Sequence, residues 1–166
     1  QVDVAFSSSI SGKAYQLAKS PRGLNYPIIA HSDKEGWKRL QAVAPFFFPF
    51  YGKEGADLSP EKPAESASYP YPVLMTYAKQ DPKLVKAMAS AMVDTFDAYK
   101  GAAPGNAGWA LSRQNFGWVV PYHEGAIAYF KEKGIWTPVH EKNNAMLLKR
   151  QQILADAWKE VQSRKH

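Results

Sequence analysis

Cysteine is absent from the 166 residues, which removes disulfides, thiolate zinc sites and cysteine nucleophiles together. No apolar run approaches the ~18 residues of a membrane-spanning helix. The most apolar stretch, residues 44–51, is short and interrupted by Pro45 and Pro49. Charge of one sign is never concentrated: 21 Lys and Arg stand against 15 Asp and Glu, a net +6. The positive residues are spread along the chain, and only Arg164-Lys165-His166 resembles a cluster. Nucleic-acid binders gather their charge on one face, so nucleic acid is not an expected partner. Phosphate loops are missing as well. Ser11-Gly12-Lys13 lacks the upstream glycine of a P-loop, and no Gly-x-Gly-x-x-Gly occurs.

Catalytic and metal constellations are equally scarce. The serines between Ser7 and Ser11 have no Gly-x-Ser-x-Gly frame. His31, His123 and His140 stand apart without an acid at a fixed spacing. His123-Glu124 and His140-Glu141 are adjacent pairs, which a helix points ~100° apart. The chain reads as non-enzymatic, with no metal and no cofactor, and its histidines as surface or hydrogen-bonded structural residues.

What is present is the composition of an ordinary folded domain, 45% hydrophobic and 22% charged. Gln1 leads at once into Val2-Asp3-Val4-Ala5-Phe6, an expected strand, so the chain is read as beginning inside something larger. Ser7-Ser8-Ser9 then suits a loop opening a helix over residues 11–19, since serine hydroxyls cap free backbone N–H groups. Residues 24–30 read as a second strand, an edge or short piece because of Pro27. Ser32 and Glu35 have capping-box spacing before Trp37, Leu40 and Val43. Two strand–helix steps of this length predict an α/β layer. Residues 45–51, Pro-Phe-Phe-Phe-Pro-Phe-Tyr, read as an extended connection or as the aromatic wall of a cleft. Residues 52–68 are polar and read as a surface loop or a crossing between lobes. Residues 69–77 begin proline-stiffened and become a strand.

The second half reads as helical. Asp81 and Pro82 open a helix that Gly101 closes, with Leu84, Val85, Met88, Met92, Phe96 and Tyr99 on one stripe. Glu124 to Lys133 forms a short helix before Gly134. Thr137-Pro138 opens the longest one, reaching about Val161, with an apolar stripe that includes Met146, Leu147, Leu154 and Trp158.

Two stretches carry a family resemblance. One is the opening Val2 to Phe6 strand with the helix and strand after it. The other, more specific, is Pro121-Tyr122-His123-Glu124-Gly125-Ala126-Ile127-Ala128-Tyr129-Phe130-Lys131-Glu132-Lys133-Gly134. Together they resemble the TAXI-type solute-binding proteins of TRAP transporters, whose C-terminal region has a proline–x–His–x–Gly–Ala–Ile–x–Tyr–Tyr–Lys–Glu–x–Gly pattern. Residues 71–77 and the helix after Asp81-Pro82 follow in the same order. Glu124 stands where that family commonly has proline, and the aromatic run Phe46 to Tyr51 is denser than usual. The resemblance spans nearly all of this chain and about half of the family's usual length.

The resemblance implies part of a bilobal, type II-like periplasmic-binding-protein fold in the α/β class, its helix-rich C-terminal half. Residues 1–66 would belong to the second α/β lobe, 67–80 to a hinge and return strand, and 81–166 to helices packing on the first lobe. It further implies a periplasmic protein that captures a small organic anion, a carboxylate or amino acid, and hands it to membrane transporter subunits. The implied partners include the missing N-terminal half or another protein chain. Ser7, Ser8 and Ser9 are the expected donors to the ligand, and Phe48, Tyr51, Tyr69 and Tyr71 the aromatic groups near the crossing. A non-catalytic structural or interaction subunit reusing half of the binding-protein fold is the alternative.

Overall fold

The computed structural model describes residue 4, residues 6–103 and residues 105–164. Contacts divide the chain into two units, Gln1–Pro70 and Tyr71–His166, each with its own packing.

In the first unit Ser11 opens helix α1 (Gly12–Ala18), its hydroxyl accepting the Ala14 N–H at 3.1 Å. Helix α2 (Lys34–Val43) is capped one residue later than the Ser32–Glu35 spacing predicts. The Asp33 carboxylate accepts the Gly36 N–H at 2.8 Å. It lies so close that a Cβ on Gly36 would fall 2.7 Å from the Asp33 Cγ, which is why glycine suits this turn. Trp37 is buried on α2 and donates its indole N–H to the Ala30 carbonyl at 3.0 Å.

Strands β1 (Phe48–Gly52) and β2 (Ala64–Ser68) form a two-stranded antiparallel ribbon with Phe48 opposite Ser68, Phe50 opposite Ser66 and Gly52 opposite Ala64. This corrects the reading of residues 45–51 as an unpaired connection and of 52–68 as loop throughout. Pro49 is tolerated because a two-stranded ribbon has only edge strands. Ala-Glu-Ser-Ala-Ser is strand by virtue of its partner, since β-propensity depends on what the pleat packs against.

The strands expected at 24–30 and within 69–77 do not form. Residues 24–30 make one backbone bond to the ribbon, Ile29 N–H to the Glu65 carbonyl at 3.0 Å. Of the expected opening strand, residues 1–3 and 5 lie outside the described residues. Val4 and Phe6 are 82% and 83% exposed and unpaired in any strand. An apolar run forms a strand only where a neighbouring strand can pair with it along its length, and residues 24–30 have a single such bond. The described residues are therefore helix-rich with one small sheet.

The second unit begins with an irregular segment over residues 71–77, whose Tyr71–Pro72 peptide is cis, followed by a turn at residues 78–80. Helix α3 (Pro82–Asp94) starts as predicted, the Asp81 carboxylate accepting the Lys83 N–H at 2.9 Å. It does not run to Gly101. The Thr95 hydroxyl back-bonds to the Ala91 carbonyl at 2.8 Å, a contact that bends helices, and the chain resumes as α4 (Phe96–Tyr99). Two short 3-10 turns, Asn106–Trp109 and Leu111–Arg113, lead toward α5 (Glu124–Glu132) and α6 (Pro138–Ser163). Gly134, at φ 71°, supplies the left-handed residue that ends α5.

The core of this unit is aromatic: Phe116, Tyr129, Phe130 and Trp136, with Ala89 and Val93 of α3 packed on it. Helices α3 and α5 approach so closely that a Cβ on Gly125 would collide with the Pro82 carbonyl and come within 3.0 Å of the Val85 Cβ. Buried Asn144 ties the start of α6 to this core by accepting the Tyr122 N–H at 2.7 Å. Further along α6, Met146, Leu148, Ile153, Leu154, Trp158 and Val161 are 45% to 59% exposed.

Candidate functional site

In the first unit the serine turn is locked against a loop 45 residues further on. The Ser9 hydroxyl donates to the Glu54 carbonyl at 2.9 Å, and the Ala56 N–H donates to the Ser9 carbonyl at 2.9 Å. Tyr26 closes the other side, its hydroxyl donating to the Ala56 carbonyl at 2.8 Å. Gly55, at φ 124°, must lack a side chain, because a Cβ would lie 2.7 Å from that of Ser9. Asp57 also takes a left-handed conformation, at φ 56°. Ser7 pairs its hydroxyl with that of Ser11 at 3.0 Å, and Ser8 gives its carbonyl to the Ser11 N–H at 3.0 Å. Burial raises the Tyr26 phenol above its ordinary pKa, with Asp57 and then Tyr15 acting in the same direction. Hydroxyls, a phenol and a carboxylate thus converge at one turn.

A second cluster lies at His31. Its ring contacts Tyr51 edge-on at 4.6 Å and Trp37 at 6.0 Å. Its backbone N–H donates to Glu65 Oε1 at 2.7 Å. Phe48 and Tyr51 are three apart on β1 and so project from opposite faces of the ribbon. Phe48 lies 6.4 Å from Phe50, while Tyr69 packs with Phe46 and Phe47 at 6.4 and 5.8 Å. Tyr71 is 67% exposed and belongs to the second unit. The seven residues singled out in the sequence are therefore distributed: Ser7 to Ser9 in the locked turn, Tyr51 at His31, Phe48 and Tyr69 elsewhere along the aromatic segment. Sequence reasoning missed Tyr26, Asp57, His31 and Glu65. Their partners lie about 30 residues away, and Glu65 sat in a segment read as loop.

The second unit has an open groove of about 460 Å³ lined by Ser112, Gln114, Asn115, Phe116 and His140 among others. In that unit His123 Nδ1 caps α5 by accepting the Gly125 N–H at 3.1 Å, a hydrogen-bonded structural role. Among the described residues no three His, Cys, Asp or Glu side chains gather as a metal site, and no helix is long and apolar enough to cross a membrane.

The NMT1-like family matches residues 10–134. The chain belongs to this family. It is a periplasmic-binding-protein-like family related to solute-binding proteins, and the chain carries a solute-binding type of function on that ground. No curated protein and no solved structure matches the chain. The matched span takes in α1, α2, the ribbon, α3 and α5, and ends before α6.

Proposed function

We propose that the protein captures a small organic anion, a carboxylate or amino acid, as the substrate-binding component of a TRAP-type transporter of the TAXI kind. It works in the periplasm, performs no catalysis and passes its solute to membrane transporter subunits. The observation that carries the reading is the family match over residues 10–134. The resemblance of the Pro121 to Gly134 motif to TAXI proteins gives the finer assignment. Support at the site comes from the Ser7–Ser9 turn held against Glu54 and Ala56, with exposed Tyr51 as an aromatic wall. Capture between two jaws requires a first lobe, from an N-terminal half or from another chain.

One observation favours the second reading, a non-catalytic interaction subunit. The Ser9 hydroxyl and carbonyl are both engaged inside the unit, which leaves fewer donors for a solute. Thermal unfolding of the full native protein against a panel of carboxylates and amino acids separates the two. A true solute at a hundredfold excess over its Kd stabilises by about 2.7 kcal/mol, an upward Tm shift of several degrees. Absence of any saturable shift across the panel favours the interaction subunit.

A further inference from the structure

His31 Nε2 lies 3.2 Å from the Phe50 N–H donor and 2.9 Å from the Ser66 carbonyl oxygen. Phe50 and Ser66 face each other in the ribbon register, so one ring nitrogen sits over a donor from β1 and an acceptor from β2. A bare imidazole nitrogen accepts and a protonated one donates, and no single state satisfies both partners. On the ring's other side Nδ1 lies 4.0 Å from Glu65 Oε1. A proton on Nδ1 would face that carboxylate, and Nε2 would then be bare toward Phe50.

We propose that His31 is a proton-operated clasp on the aromatic strand. Neutral, it holds β1 through the Phe50 N–H. Protonated, it turns donor, releases Phe50 and binds the Ser66 carbonyl on β2. The segment before α2 stays anchored to β2 in both states through the Ile29 N–H to Glu65 carbonyl bond. Gaining a proton therefore moves the His31 attachment from β1 onto β2, while the ladder with β2 still holds the strand that bears Phe48 and Tyr51. The groups facing His31 are the Glu65 carboxylate on β2, the Tyr51 ring on β1 and the Trp37 indole on α2. The Lys34 ammonium, also on α2, donates to the His31 carbonyl at 3.1 Å, and the Asp33 carboxylate caps that helix. The His31 side chain is 18% exposed, enough for a proton to reach it. Histidine side chains in general change charge between about pH 5 and 8. The clasp stands independently of which solute is bound.

Nitrogen-15 NMR of the full chain across that range tests the proposal. The neutral ring is expected to carry its proton on Nδ1. On the acid side, Phe50 amide exchange, corrected for its intrinsic pH dependence, rises about threefold to tenfold, as loss of one hydrogen bond predicts. The midpoint of that rise coincides with the midpoint of the His31 ring shifts, and the Ser66 carbonyl shift moves with it. In His31→Gln the step at Phe50 disappears. In Glu65→Gln the neutral proton redistributes toward Nε2 and the step shrinks. A neutral ring protonated at Nε2, or Phe50 exchange with no step at the His31 midpoint, overturns the clasp. Those two readings come from the unmodified chain, so they stand even if a variant fails to fold.

Discussion

Tyr122 is fixed at both ends, its N–H on Asn144 Oδ1 at 2.7 Å and its hydroxyl near the Asn115 carbonyl at 3.4 Å. The rings of Phe116 and Trp136 lie 5.5 and 5.4 Å away. Burial in that setting pushes its phenol from pKa 10.0 up to about 12. The folded chain thus keeps Tyr122 neutral between those values while the unfolded chain ionises. Stability falls as pH rises through this window, by up to about 3 kcal/mol at its upper end. Chemical denaturation at pH 9 and pH 11.5 measures the loss, and Tyr122→Phe should flatten most of it. Buried Tyr129, raised by burial first, retains a residual slope. Asn144 is 5% exposed, and Asn144→Ala strands the Tyr122 N–H without its acceptor. The expected cost is about 1–3 kcal/mol in the same denaturation experiment.

At the level of elements, α5 depends on its cap and on its neighbours. His123→Ala removes the acceptor for the Gly125 N–H, and a lost helix cap costs about 0.5–2 kcal/mol. His123→Asn should restore most of it, because asparagine caps as well. Two ion pairs tie α5 outward: Lys86 of α3 to Glu132 at 2.7 Å, and Lys131 of α5 to Glu141 of α6 at 3.0 Å. The Lys86 hydrogen bond lowers the Glu132 pKa, and the Lys131 hydrogen bond followed by the Trp136 indole lowers that of Glu141. Both folded values lie below the ordinary 4.5. The pairs therefore contribute fully above the unfolded carboxylate value and are lost as pH falls through the lowered folded values. Acid titration followed by the NMR signal of the Trp136 indole N–H, which donates to Glu141 at 2.7 Å, should show this loosening, and Glu141→Gln should reduce its amplitude. These helices were legible in the sequence because their starts are local chemistry. Asp81-Pro82, His123 and Thr137-Pro138 each satisfy N–H groups within three residues, and the apolar period follows. The strands were not legible. Residues 24–30 and 69–77 carry strand-like side chains and form no ladder, while Ala64 to Ser68, with little intrinsic preference, pair with β1. The serine turn was visible as a helix start, but its lock at Glu54 to Ala56 depends on a contact 45 residues distant and on a glycine whose role appears only in three dimensions.

For the molecule as a whole, the unresolved physical demand lies on α6. Its first turns are secured: Thr137 and His140 form a reciprocal cap, and Asn144 reaches the core. Beyond Asn144 the stripe of Met146, Ile153, Leu154, Trp158 and Val161 faces water, on a helix outside the span matched by the family. Exposed apolar bands of this kind mark protein or membrane interaction sites or drive self-association. The isolated chain should therefore associate at micromolar concentration, with a mass by static light scattering that rises with concentration. Leu154→Lys combined with Trp158→Lys should return the mass to that of a single chain. Trp136, remote in sequence from both substitutions and buried in the aromatic core, reports whether that core survives them. A chain that remains monomeric before any substitution would mean that this helix bears its apolar band in water without cost enough to drive association, and the two-jawed reading would lose its demand for a covering lobe.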